Sequence, residues 1–196
     1  MKGLISILYA GFRQTPFILV SYFVISSMLN SDIRGIIFLG VLLLNCLITF
    51  TIGTAFKSAL PVDNTPPEKI ATCNATSLKD DERFSPIPLN INIVVFTFAY
   101  LLYILVKENM VNYNVPTIVF FTILLASMLF WEFTNQCVDP LKLILALILG
   151  GGFGALFSYG VSEWSKNLPG LQFFNNLTNE DVCKRVSDEV FECDVA

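Results

Sequence analysis

Long apolar runs separated by short polar stretches dominate the chain. They cover residues 15–29, 35–56, 87–106, 115–131 and 141–159, and the second holds no charged residue over 22 positions. A helix crosses the hydrocarbon core of a bilayer with about 20 such residues. Backbone groups in lipid must bond within the segment, so all five runs are read as helices. Pro16 and Pro116 open the first and fourth runs, where a helix's first turn tolerates proline. Residues 1–14 precede the first run as a short amphipathic or interfacial lead-in. Its apolar part, residues 4–12, is short, and no convincing small-residue cleavage site follows, so it is read as retained.

The connections differ in kind. "NSDIR" (30–34) and "KENMVNYN" (107–114) are short turns on one side of the membrane, and "EFTNQCVDP" (132–140) is a short turn on the other. The loop 57–86 is longer, with four prolines and the charged cluster Lys79-Asp80-Asp81-Glu82-Arg83. It reads as a solvated connector or as a partner contact. The tail 161–196 is polar and forms a small extramembrane appendage, with Trp164 and Lys166 placed as interface anchors. The expected fold is an all-α polytopic membrane protein: lead-in 1–14, helical bundle 15–160 with about five transmembrane helices, tail 161–196.

Composition agrees with the pattern. The chain is 54% hydrophobic and 14% charged, against about 25% charged in a soluble domain. The net charge is −4 and the longest basic run is Lys184-Arg185, so no nucleic-acid footprint exists. There is no histidine. That removes imidazole acid–base catalysis, histidine metal sites and every Ser-His or Cys-His nucleophile pair. Five spans put the two ends on opposite sides. Lys2, Arg13, Lys57, Lys69, Lys79, Arg83 and Lys142 share the N-terminal side; Arg34, Lys107, Lys166, Lys184 and Arg185 share the other. The positive-inside rule then favours a cytosolic N-terminus and a translocated tail.

The fifth run contains "LALILGGGFGALFSYG", in which Ala146, Gly150, Gly154 and Ser158 recur every fourth residue. Such a small-xxx-small stripe lets backbones approach closely, and packing then holds the helices together in lipid. The stripe serves as a docking groove for another protein's helix, or it is filled by this chain's own helices.

Nothing in the runs announces chemistry. Transporters bury ionisable groups at mid-bilayer, and the interiors of these runs contain none. Their polar residues, among them Asn45, Thr49, Thr51, Asn90, Asn92, Thr97 and Ser127, read as interhelical hydrogen-bonding groups. "SPIPLNI" is faintly similar to the Pro-Ser-Gly-His signature of membrane acid phosphatases, but that chemistry needs histidine, so Ser85 and Pro86 read as a helix entrance. "GGGFG" is no phosphate loop, because it lies inside an apolar run with no lysine directly after it. No cofactor, metal or small-molecule substrate is expected.

Five cysteines remain to be placed. Cys46 reads as a small core filler. Cys73 and Cys137 fall in two loops of the N-terminal side and form a candidate disulfide, on the reducing face under the topology above. Cys183 and Cys193 form a second candidate. A turn at Ser187-Asp188-Glu189 would set Val186 opposite Val190 and Cys183 opposite Cys193 in a β-hairpin; two free thiols are the alternative. The sequons Asn74-Ala75-Thr76 and Asn176-Leu177-Thr178 are candidate glycosylation sites on opposite faces, so at most one is expected to be used.

The pattern as a whole resembles small multi-span membrane proteins of the nucleocytoplasmic large DNA viruses, relatives of phycodnaviruses and mimiviruses. The resemblance rests on "TPFILVSYFVISSMLNSDIRGIIFLGVLLLN", a Pro- and Cys-bearing loop, "NINIVVFTFAYLL", "NQC", the glycine-rich span and the ending "NEDVCKRVSDEVFECDV". It departs in a tail that stops soon after Cys193 and in its charged insert. It implies a non-enzymatic virion protein that anchors the internal membrane, derived from host endomembrane, to the capsid through minor capsid proteins. It also implies viral thiol oxidation, which would reconcile disulfides on both faces. The second expectation is an accessory subunit of a larger cellular membrane complex that docks through the glycine stripe. A small transporter or channel is disfavoured.

Overall fold

The computed structural model describes residues 2–29, 33–61, 73, 85–165, 183–187 and 190–193. Five long helices follow one another: α1 (Lys2–Leu29), α2 (Ile33–Ala55), α3 (Leu89–Lys107), α4 (Val115–Asn135, preceded by the 3-10 turn Asn112–Asn114) and α5 (Pro140–Ser165). Four stretches are long and apolar enough to cross a membrane: Gly35–Ala55, Leu89–Lys107, Asn112–Asn135 and Pro140–Trp164. The protein is therefore an all-α integral membrane protein, with four spans that meet the criterion and a shorter apolar stretch, Gln14–Ile25, in α1.

α1 runs across the expected division at residue 14. One helix runs from Lys2 to Leu29 with Pro16 inside it. Proline removes one hydrogen bond there, a loss that hydroxyls and neighbouring helices make good in a membrane setting. The carbonyl that loses its donor is that of Phe12, and next to it Thr15 Oγ1 donates to the Gly11 carbonyl at 3.4 Å.

Other helix ends also lie beyond the apolar runs. α4 continues past Trp131 to Asn135, and α5 continues past Tyr159 to Ser165. Charge does not end a helix; capping does. α4 stops where Gln136 turns left-handed (φ 54°) and the Cys137 amide reaches back to the Glu132 carbonyl at 3.1 Å. α5 starts because Asp139 Oδ1 accepts from the Leu141 amide at 2.9 Å and Pro140 follows it as the first residue. The extension of α4 carries Glu132 into the structure at 6% exposure, and α5 holds Lys142 at 6%. The helices thus contain buried ionisable residues near one end, Glu132 just past the fourth run and Lys142 at the start of the fifth.

α3 is the centre of the bundle. Of its span 56% is buried, against 28%, 22% and 33% for those of α2, α4 and α5. Ile91, Val94 and Phe96 are fully enclosed. An aromatic chain ties α1 to α2 and α2 to α3: Phe23 and Phe38 lie 4.4 Å apart, Phe38 and Tyr100 5.2 Å. The outer faces are apolar as well. Phe120, Ile123, Phe130 and Phe133 of α4 are exposed, as befits a surface whose solvent is lipid.

Beyond α5, strands β1 (Cys183–Ser187) and β2 (Val190–Cys193) pair antiparallel. Cys183 stands opposite Cys193, and Ser187 opposite Val190. The expected Val186–Val190 pairing is displaced by one residue, because a register shift between Arg185 and Ser187 leaves a two-residue connection. The cysteine side chains there, and Asn74, Asn176, Lys166 and most of loop 57–86, lie outside the described residues.

Candidate functional site

The candidate site is the seam between α3 and α5, the most intimate contact in the bundle. Both helices begin at the same end, so they run parallel. The stripe Ala146, Gly150, Gly154, Ser158 faces α3 along its length. A Cβ on Gly150 would stand 2.7 Å from the Asn92 carbonyl oxygen, and one on Gly154 would stand 2.6 Å from that of Phe96. One turn further the side chain returns: Ser158 Oγ donates to the Tyr100 carbonyl at 3.0 Å. The pairs Asn92–Gly150, Phe96–Gly154 and Tyr100–Ser158 keep one sequence offset of 58 residues. Two helices with a four-residue period thus meet in constant register, ridge to ridge. Glycine at two of the three contacts allows backbone-to-backbone approach, the geometry of weak Cα–H···O contacts. The stripe is therefore filled within the chain and is not open to another protein's helix.

The other glycines of the triplet are spectators. A Cβ on Gly151 would meet Val95 at an ordinary 3.7 Å, and one on Gly152 would meet nothing within 4 Å.

At one end of the seam Asn92 acts as a hub among three helices. Its Oδ1 accepts from Asn45 Nδ2 at 2.6 Å and from Thr49 Oγ1 at 3.4 Å, both on α2. Its Nδ2 donates to the Ala146 carbonyl of α5 at 3.3 Å. All four residues are completely buried. In lipid each such group would cost several kcal/mol if unpaired, so the hub is satisfied by assembly of the helices. One atom is left over: Asn45 Oδ1 is buried with no partner. Thr97 turns back on its own helix, donating to the Ile93 carbonyl at 2.8 Å. Thr51 does the same on an exposed face, with the Ile48 carbonyl at 2.8 Å. Ser127 is partly buried.

The two ends of the bundle are fastened differently. At the α3 N-terminus Ser85 Oγ accepts from the Ile87 amide at 3.3 Å, and Asn90 Nδ2 donates to Glu132 Oε1 at 3.5 Å. Beside them Cys73 and Cys137 form a disulfide, with Cα atoms 5.5 Å apart. Both cysteines are buried, at 3% and 1% exposure. The bond ties the α2–α3 connection to the α4–α5 turn. At the opposite end Lys107 Nζ donates to Ser162 Oγ. Trp164 is exposed there, and Cys46, on α2, carries a free thiol.

Sequence reasoning missed one contact of the same type as the seam. A Cβ on Gly35 would lie 2.7 Å from Ser27 Cβ and 2.8 Å from the Phe23 carbonyl oxygen, so α1 and α2 also cross closely. The small residue Ser27, followed across "NSDIR" by Gly35, was the available signal. Among the described residues no group of three His, Cys, Asp or Glu side chains is placed to hold a metal ion. No protein family, curated protein or solved structure matches the chain.

Proposed function

We propose that the protein is a non-enzymatic structural element of a membrane: a closed helical anchor that presents its extramembrane segments to neighbouring proteins. One observation carries the reading. The polar side chains at the heart of the bundle bond to one another or to backbone, as Asn45 and Thr49 do to Asn92, Asn92 to Ala146, and Ser158 to Tyr100. Groups engaged in this way hold helices together and are not presented to a substrate. In this reading α1 crosses as a fifth span, because its 28 residues reach about 42 Å. The hairpin around Cys183 and Cys193 is then the core of the extramembrane tail.

The resemblance to virion membrane proteins of large DNA viruses supplies a setting: the internal membrane beneath a capsid, with loop 57–86 or tail 161–196 touching minor capsid proteins. The second reading is an accessory subunit of a larger cellular membrane complex. With the glycine stripe filled within the chain, a partner helix in this reading would replace lipid on the outer face of α4, at Phe120, Ile123, Phe130 and Phe133. Lysine-directed cross-linking in the producing cell's membranes, followed by mass spectrometry, separates the two. Capsid proteins joined to Lys69, Lys79, Lys166 or Lys184 support the first. A fixed set of cellular membrane subunits supports the second. Substrate turnover abolished by altering one polar side chain would end both.

A further inference from the structure

We infer that the end of the bundle closed by Cys73–Cys137 faces the translocated, oxidising side of the membrane, and that the segment after α5 lies on the cytosolic side. This orientation inverts the one favoured by counting charges. It rests on the ordinary redox poise of cytosol and secretory lumen, and sets aside the viral thiol oxidation that the resemblance implies.

The disulfide is the first premise. Such bonds form and persist in secretory and extracellular compartments, while glutathione and thioredoxin keep cytosolic thiols reduced. Cys137 sits in the turn between α4 and α5, and its bond to Cys73 puts the α2–α3 connection at the same end. One redox environment therefore governs both loops.

Parity is the second. Between residue 73 and the tail stand three stretches that meet the length and hydropathy of a span: Leu89–Lys107, Asn112–Asn135 and Pro140–Trp164. Three crossings put the tail on the face opposite the disulfide, whatever α1 does. Nothing after residue 165 is apolar enough for another crossing.

The charge count then loses its force. Lys142 is buried among the helices, and Lys2 and Arg13 lie within α1, Arg34 within α2 and Lys107 within α3, so none of the five is a loop charge. Four basic residues, Lys57, Lys69, Lys79 and Arg83, then remain on one side and three, Lys166, Lys184 and Arg185, on the other. A margin of one charge sets no orientation, and the disulfide decides.

Two consequences are chemical. Asn74, next to Cys73 in sequence, is the sequon on the glycosylating side, and Asn176 is the one that stays bare. Cys183 and Cys193, though opposite each other in the β1–β2 register, remain thiols.

The test is translation of the full chain, with a C-terminal epitope tag, into sealed microsomes. One endoglycosidase-sensitive glycan is expected, lost in Asn74→Gln and kept in Asn176→Gln. Added protease should remove the tag without opening the vesicles. A membrane-impermeant maleimide should label Cys183 and Cys193 without reductant, and Cys73 and Cys137 only after solubilisation and reduction. A protected tag, a glycan on Asn176, or a bare Asn74 would overturn the orientation. Because no capsid or host complex is present in this assay, its failure would leave the structural role standing, and failure of that role would leave the orientation standing.

Discussion

The seam makes its sharpest prediction through two glycines only two residues apart. Gly154→Ala puts a Cβ 2.6 Å from the Phe96 carbonyl oxygen and 3.0 Å from Ala99 Cβ. Ordinary contact begins near 3.4 Å, so the helices must separate by most of an ångström. The atom in the way is backbone, which cannot rotate aside. Overpacking of this kind costs about 1–3 kcal/mol. Gly152→Ala adds the same methyl to the same helix, but nothing lies within 4 Å of it. Both variants gain whatever alanine contributes over glycine in a helix, up to about 1 kcal/mol. That term cancels in the comparison, and the clash alone remains. Gly154→Ala should therefore unfold about 1–3 kcal/mol more easily than Gly152→Ala. Far-UV circular dichroism during SDS titration of the purified protein in mixed micelles measures the difference. If the two midpoints agree within about 0.5 kcal/mol, the close α3–α5 approach is wrong, and the glycine stripe needs another explanation.

The same unfolding assay tests the other fastenings. Asn92→Ala removes the hub and leaves buried partners on α2 and α5, so a loss of about 1–3 kcal/mol is expected; in a double-mutant cycle Asn45→Ala should cost less once Asn92 is gone, and strict additivity would deny the bond. Cys137→Ser opens a link that spans 64 residues and should cost about 2–4 kcal/mol; a variant as stable as the parent under non-reducing conditions would show that the bond contributes nothing. Phe96→Ala, at a fully buried ring, should cost about 3–5 kcal/mol, whereas Phe130→Ala, 70% exposed toward lipid, should change the midpoint little; a large effect at Phe130 would mean that α4 is covered by another molecule.

Much of the bundle could be read directly from hydropathy, because lipid imposes one rule on every span. A run of some 20 apolar residues must be a helix, and α2, α3, α4 and α5 follow from it. Helix ends were less legible. Hydropathy falls at Glu132 and at Glu163, but the hydrogen-bond ladder continues to Asn135 and Ser165 until a cap stops it. Pro16 misled in the opposite sense. It looks like a helix start, yet flanking apolar turns keep α1 whole from Lys2. The four-residue recurrence of small residues was plain, but a one-dimensional pattern cannot say which helix fills the groove. That answer lies in the carbonyls of Asn92, Phe96 and Tyr100, on a helix 58 residues upstream. The partners within the Asn45–Thr49–Asn92 hub were equally hidden, since each asparagine looks alike in sequence.

The locks also explain how this bundle holds together without a hydrophobic drive. Leucine gains nothing by moving from lipid to protein, so association must come from close packing, hydrogen bonds and covalent ties. The three kinds are spread along the bundle. The disulfide and the Asn90–Glu132 contact hold one end, the Asn92 hub lies next, Gly150 and Gly154 fill the middle of α5, and Ser158 and Ser162 close the far end. α3 takes part in all but the disulfide, which ties the loop before it to the turn after α4. α4, the least buried span, is held at the disulfide end by Glu132 and the Cys137 turn and further along by Phe121, stacked on Phe98 of α3 at 5.6 Å. Reducing the disulfide should loosen α4 first, while α3 and α5, joined over three successive turns, stay together. Hydrogen exchange with and without reductant reads this order directly: protection should fall in α4 before it falls in the α3–α5 pair, and simultaneous loss in both would contradict it.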